Sequence, residues 1–270
     1  MSIQIMEHEY VAGQYRDHFP KLLAQYRDES DLVAARFDAI IERRYGNAHQ
    51  RQALDFLPAA GTDAHGVVVY FHAGYWQSRD KGDFRFLATS LNRAGLHVAF
   101  VNYPLCPDVT LSELIAQVQP SIPVIRMLAG ALPIVLMGHS AGGHIAVETA
   151  LQWPKTSPAP KGIVSLSGVF DLRPLVQTSL NAKLQLDHDT ATTASPLFRL
   201  CAGLPAALFC VGGAETEAFV RQNEEMAEAW EATGNSARSI IVPDADHFTI
   251  LSRLADSADY LHQAVVALTQ

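Results

Sequence analysis

Pro133-Ile134-Val135-Leu136-Met137-Gly138-His139-Ser140-Ala141-Gly142-Gly143 is the stretch that decides the fold. An apolar run enters a Gly-x-Ser-x-Gly turn, and residues 144–153 leave it with a helical pattern. Strand, tight turn and helix in that order make a nucleophile elbow. The reason is steric: a serine on such a turn projects its hydroxyl out of the sheet, and Gly138 and Gly142 let the flanking backbones pass without a Cβ between them. The helix that follows turns its N-terminus toward the hydroxyl, where it favours developing negative charge.

Outward from the elbow, the pattern alternates between strand and helix. Strands are predicted at 51–57, 66–71, 96–102, 162–167, 206–211 and 238–242, most of them continuous β-branched or aromatic runs of the kind buried on both faces. Helices are predicted at 84–93, 111–128, 217–233 and 256–268, with Pro120 and Pro123 expected to kink or split the second. That alternation implies a mostly parallel sheet covered on both faces, hence an α/β fold. Residues 1–50 read as an N-terminal helical arm, because Phe19, Leu22, Leu23 and Tyr26, then Val33, Phe37, Ile40 and Ile41, follow helical spacing. Residues 171–204, with Pro174 and Pro196, break the alternation and are expected to form a small cap-like insertion after the sixth strand region. Residues 1–270 are expected to make a single domain, and the site should lie outside the carboxyl ends of the strands.

Composition excludes several partners. The formal charge is −8 with no basic run, which argues against nucleic acid. No stretch approaches the roughly 20 apolar residues of a membrane span. Glu7, His8 and Glu9 fall where a signal segment would be apolar, and Cys106, Cys201 and Cys210 are widely spaced, so a cytoplasmic protein with reduced thiols is expected. No Cys/His spacing suggests a metal, so neither metal nor cofactor is expected. The expected partner is a small molecule, with a homodimer left open.

A serine nucleophile needs a base, and in this architecture the partners follow in the order serine, acid, histidine. Of 11 histidines, His188, His247 and His262 follow the elbow in the second half. His262 falls within the terminal helix, where a surface position is expected, and His188 falls between two aspartates in the insertion. His247 follows the last strand, in the loop where a general base belongs. Glu215 stands at the acid's offset after the 206–211 strand and would fix the histidine tautomer. Glu217 better suits the start of the next helix, Asp244 and Asp246 suit local turn capping, and Asp171 is an outlying candidate. An oxyanion hole needs backbone N–H donors: one from Ala141, and others from Gly74 and Tyr75 after the 66–71 strand. His72 and Trp76 would support that loop, and His144 would brace the core.

His72-Ala73-Gly74-Tyr75-Trp76 followed by Gly138-His139-Ser140-Ala141-Gly142-Gly143-His144 resembles the arylformamidase (kynurenine formamidase) branch of the α/β-hydrolase superfamily, which is related to small carboxylesterases. The resemblance runs from about Tyr45-Gly46 to His247. It includes Tyr103-x-Leu105-x-Pro107, Ser167-Gly168-x-Phe170-Asp171-Leu172, Ser195-Pro196, and Gly212 through Phe219-x-Arg221-Gln222. It implies a serine hydrolase with a Ser140–His247–Glu215 triad acting on small aryl formamides such as N-formylkynurenine. A carboxylesterase for short-acyl esters is the alternative, and a catalytically silent binding module on the same fold is a remote one. Ala73 stands where that branch has glycine, which is harmless provided its backbone is not left-handed. Glu215 stands where the branch has aspartate; glutamate serves there elsewhere in the superfamily.

Overall fold

Eight strands form one sheet in the order β1-β2-β4-β3-β5-β6-β7-β8: β1 (Ile41–Arg44), β2 (Ala53–Leu57), β3 (Gly66–Phe71), β4 (Leu96–Val101), β5 (Ile134–His139), β6 (Gly162–Leu166), β7 (Ala206–Gly212) and β8 (Ala237–Val242). The computed structural model describes residues 2–36, 40–61, 63–155 and 157–269. β1–β2 and β2–β4 pair antiparallel, and every other neighbour is parallel. β3 and β5 are buried at every position, as their unbroken apolar runs require.

Successive side chains of a strand feed opposite cores. Val67, Val69 and Phe71 join Ile145, Leu114 and Trp230 on one face, whereas Val68 and Tyr70 join Leu91, Leu251 and Leu261 on the other. The elbow helix Ala141–Leu151 buries ten residues in a row, as a helix that is apolar all round must. The predicted 111–128 helix is split into Leu111–Val118 and Ser121–Ala129 at Pro120; the first is opened by a capping box between Thr110 and Glu113. The predicted 84–93 helix begins as a 3-10 segment, Lys81–Leu87, before Ala88–Arg93. The predicted 256–268 helix is Tyr260–Ala267, capped by the Asp259 carboxylate, and a separate unpredicted helix, Thr249–Ala255, precedes it.

The helical reading of residues 1–50 needs correction. Helices Ile3–Tyr10 and Phe19–Arg36 are there, but Ile41–Arg44 is the edge strand β1, with Ile41 opposite Phe56 and Arg44 opposite Ala53. Its pattern of one half-buried residue followed by Glu42, Arg43 and Arg44 exposed is that of a charged edge that resists further pairing. Phe37, in the same periodicity, lies outside the described residues. His262 also departs from expectation: it is 3% exposed, with Nδ1 2.9 Å from the Leu254 carbonyl.

The 171–204 segment holds short helical pieces, Arg173–Gln177, Asn181–Leu184, His188–Thr193 and Pro196–Phe198. It is pinned where Leu172 N–H donates to Ser195 Oγ and where Gln222 Oε1 accepts from Phe170 and Asp171 N–H. The N-terminal arm is clipped to loops at the carboxyl ends of β7 and β8. Gln14 Nε2 donates to Thr216 Oγ1 at 3.0 Å, Arg16 donates to the Ala214 carbonyl at 2.6 Å, and Tyr26 Oη donates to the Phe248 carbonyl at 3.0 Å.

Candidate active site

Ser140 sits at φ 56°, ψ −121°, a backbone conformation that costs a non-glycine residue on the order of 1–3 kcal/mol. Neighbours hold it there. Its N–H donates to the Leu166 carbonyl at 2.8 Å, and its carbonyl accepts from Gly143 N–H at 2.9 Å. The turn closes only without side chains: a Cβ on Gly138 would lie 1.9 Å from the Gly142 carbonyl oxygen, and one on Gly142 1.9 Å from that of Phe71.

His247 follows β8 and is 3% exposed. Its Nδ1 lies 2.7 Å from Glu215 Oε2, which makes Nδ1 the protonated nitrogen and leaves Nε2 as the acceptor. The ring packs edge-on to Phe219 at 5.0 Å and Phe248 at 5.3 Å. The His247 carbonyl accepts from His139 Nε2 at 2.6 Å. Burial, with His247 as neighbour, holds the His139 pKa well below the ordinary histidine value, so His139 is a neutral donor that fixes the backbone of the loop.

Glu215 Oε1 accepts from Ser167 Oγ at 2.5 Å and from Gly212 N–H at 2.9 Å. Three of the roughly four acceptor positions of this buried carboxylate are therefore used, two on Oε1 and one on Oε2. Glu217 is the exposed first residue of helix Glu217–Ala232, where a carboxylate complements the helix dipole. Asp246 accepts from Phe248 and Thr249 N–H within its own turn and pairs with His18 at 2.9 Å. Asp171 pairs with Arg173.

The loop after β3 carries the remaining sequence candidates. Ala73 is absent from the residues with positive φ; the left-handed turns fall on Gly74, Tyr75, Trp76 and Arg79 instead. A Cβ on Gly74 would meet the Ser78 carbonyl oxygen at 2.2 Å. Among the described residues, the N–H groups of Gly74, Tyr75 and Ala141 have no hydrogen-bond acceptor. His72 is fully buried, stacked on Tyr103 at 4.2 Å, with Nε2 3.0 Å from Asn102 Oδ1. Trp76 is fully buried and edge-on to His144 at 5.1 Å, while His144 Nε2 lies 2.9 Å from the Ala194 carbonyl. Three residues unmarked in the sequence tie this loop down. Arg51 donates to Asn102 Oδ1 at 2.7 Å and to the Arg79 carbonyl at 2.6 Å, and Asn102 donates to Asp80 Oδ2 at 2.6 Å.

Ser140, His247, Gly74 and Tyr75 share a cavity of about 340 Å³. Val11, Tyr15, Phe19 and Leu23 of the arm form one wall, and Arg79 and Phe248 another. Larger hollows of about 660 and 510 Å³ lie beside His262 and beneath the 171–204 segment; neither reaches Ser140 or His247.

Residues 68–251 match the family described by the alpha/beta hydrolase fold. The chain belongs to the α/β-hydrolase family. The kynurenine formamidase of Danio rerio is 32% identical over 78% of this chain and 75% of that one. Esterase LipU of Mycobacterium tuberculosis is 27% identical over 61% of this chain and 63% of that one. A solved structure from Silicibacter sp. TM1040, named a candidate thioesterase, is 29% identical, superposes with a TM-score of 0.87 and covers 98% of both chains. The protein is thus a hydrolase of the arylformamidase and esterase type, similar to the kynurenine formamidases. Among the described residues of this hydrolase, no helix is long and apolar enough to cross a membrane, and no group of three or more His, Cys, Asp or Glu could hold a metal ion.

Proposed function

We propose that this hydrolase cleaves small aryl formamides, N-formylkynurenine among them, through a Ser140–His247–Glu215 triad. The observation that carries the triad is the 2.7 Å contact of His247 Nδ1 with Glu215 at the cavity that the strained Ser140 also lines. Ser140 Oγ attacks the formyl carbon while His247 Nε2 takes its proton. The oxyanion receives the N–H groups of Gly74, Tyr75 and Ala141, and Glu215 stabilises the imidazolium. His247 then returns the proton to the leaving aniline nitrogen. Water, deprotonated by the same histidine, releases formate and restores the serine.

Support for an aryl leaving group comes from Tyr15, Phe19, Tyr75 and Phe248 around the cavity, and from the relatives named kynurenine formamidase. A short-acyl carboxylesterase shares every step up to the leaving group, and the relative named an esterase keeps that reading open. We also assign the enzyme to the cytoplasm, supported by three cysteines that are free thiols, two of them buried. The test is kcat/KM for N-formylkynurenine beside p-nitrophenyl esters from acetyl to octanoyl, with Ser140→Ala as control. The formamide and acetyl substrates should be turned over, and activity should fall steeply with acyl length. Rates that are equal or rising toward octanoyl would move the protein to the general esterases. Near-normal turnover by Ser140→Ala would sink the mechanism itself.

A further inference from the structure

We propose that Arg79 is a specificity-determining anion subsite, so that the substrate carries a carboxylate on its leaving group. This rests on the hydrolase reading of the same cavity and deepens it. Arg79 lines the cavity beside Ser140, and its backbone is left-handed at φ 74°, an unfavourable geometry for a long side chain. The Arg51 guanidinium fixes the Arg79 carbonyl at 2.6 Å, so the backbone there is held from behind. The Arg79 guanidinium lies 5.5 Å from the centre of the Phe248 ring, and among the described residues no hydrogen bond or ion pair reaches it.

Its charged neighbours are accounted for elsewhere. Asp83 is engaged by Arg27 at 3.2 Å and by Asp80 N–H at 3.2 Å. No acidic side chain lines the cavity. The cation therefore stands without a hydrogen-bonded or ion-paired partner among the described residues, in a protein whose formal charge is −8. Burial of the guanidinium pulls its pKa down, and Asp83, which acts on it from beyond pairing distance, offsets this only in part. An alkyl chain in this space would leave the guanidinium unsatisfied, which a site built for alkyl chains would avoid. A leaving group with a carboxylate toward Arg79 satisfies it, and the amino-acid side of an aryl formamide has that chemistry. Guanidinium–carboxylate pairing of this kind is bidentate and directional, so it would also orient the scissile bond over Ser140.

The experiment uses two matched pairs, each a free carboxylate and its primary carboxamide. One is N-formylkynurenine and its α-carboxamide; the other is 3-(4-acetoxyphenyl)propanoate and its propanamide. For the full-length enzyme, kcat/KM should favour the carboxylate by about 10- to 100-fold in each pair that is turned over, the range of a hydrogen bond to a charged group. Arg79→Gln should bring that ratio close to one. Arg79→Lys, under the same backbone constraint, should keep part of it, which separates charge from any distortion of the loop. A wild-type ratio near one, or an Arg79→Gln variant that slows both members equally, overturns the subsite. If only the acetate pair is turned over and shows the preference, the subsite stands and the formamide reading falls; turnover of the formamide pair without preference gives the reverse.

Discussion

Removing the Ser167 hydroxyl tests whether the acid is held as the geometry requires. Ser167 Oγ donates to Glu215 Oε1 at 2.5 Å, and the only other donor to that oxygen among the described residues is Gly212 N–H at 2.9 Å. Ser167 is fully buried, so water does not replace the lost donor in Ser167→Ala. A hydrogen bond to a buried charge contributes about 1.5–3 kcal/mol. If all of it acted in the transition state, the rate would fall by roughly 10- to 150-fold. Gly212 N–H remains, and part of the bond stabilises the ground state equally, so a loss of about tenfold in kcat with little change in KM is expected. The assay is steady-state turnover of Ser167→Ala, Glu215→Gln and the double variant, with thermal melting to exclude unfolding. Because Ser167 acts through Glu215, the double variant should be no slower than Glu215→Gln alone. Turnover of Ser167→Ala within twofold of wild type, or multiplicative losses in the double variant, would refute the argument.

Glu217→Gln should keep near-normal turnover where Glu215→Gln loses it by orders of magnitude; the reverse result would transfer the acid's role to Glu217. Gly142→Ala should lose on the order of 3 kcal/mol in chemical denaturation, along with fluorophosphonate labelling, because its Cβ would fall 1.9 Å from the Phe71 carbonyl oxygen; an unchanged midpoint would mean the elbow tolerates a side chain. His139, fully buried with a depressed pKa, binds fewer protons folded than unfolded. Its contribution to stability is therefore present above about pH 6.5 and is lost as pH falls toward the folded value, by up to about 1.4 kcal/mol per pH unit. Buried His72 and His144, also held below the ordinary histidine value, add slope of the same sign. Denaturation measured from pH 7.5 to 5 should therefore show at least that slope, and His139→Gln, which keeps an N–H for the His247 carbonyl, should reduce it by the share of one histidine; equal slopes would remove His139 as a cause.

The elbow was legible because its determinants are local. Two glycines, a serine and a buried apolar run occupy one strand–turn–helix, and the turn closes on itself where Gly138 meets the Gly142 carbonyl, although Gly142 is needed by the Phe71 carbonyl of the neighbouring strand. The positions of Glu215 and His247 could be read from strand ends alone, since parallel topology brings those ends to one edge. β1 was hidden because a four-residue edge strand needs only one apolar side chain, and Ile40 and Ile41 continued a helical spacing by coincidence. His262 was misread because its burial depends on the Leu254 carbonyl of the preceding helix, which no periodicity reports. Ser167, Arg51 and Asn102 work through partners 48, 28 and 22 residues away, so only their residue type, not their task, is visible in the chain. Ser167 had one local sign, its place directly after β6 and before Gly168.

The clip between the arm and the loops after β7 and β8 has a consequence for how this enzyme is made. Tyr26 reaches a carbonyl 222 residues later, and Gln14 a hydroxyl 202 residues later. During synthesis the helix Phe19–Arg36 can meet the 81–87 segment early, through Tyr26 on Phe86 and Ser30 on the Phe86 N–H, but Gln14 and Tyr26 lack these later partners until the loops after β7 and β8 have emerged. The aromatic wall from Tyr15 to Leu23 therefore closes only after the His247 loop exists. A chain stalled before β8 can carry the elbow and the strands around it and still lack the His247–Phe248 side of the cavity, so this hydrolase acquires its pocket only once that loop has been made.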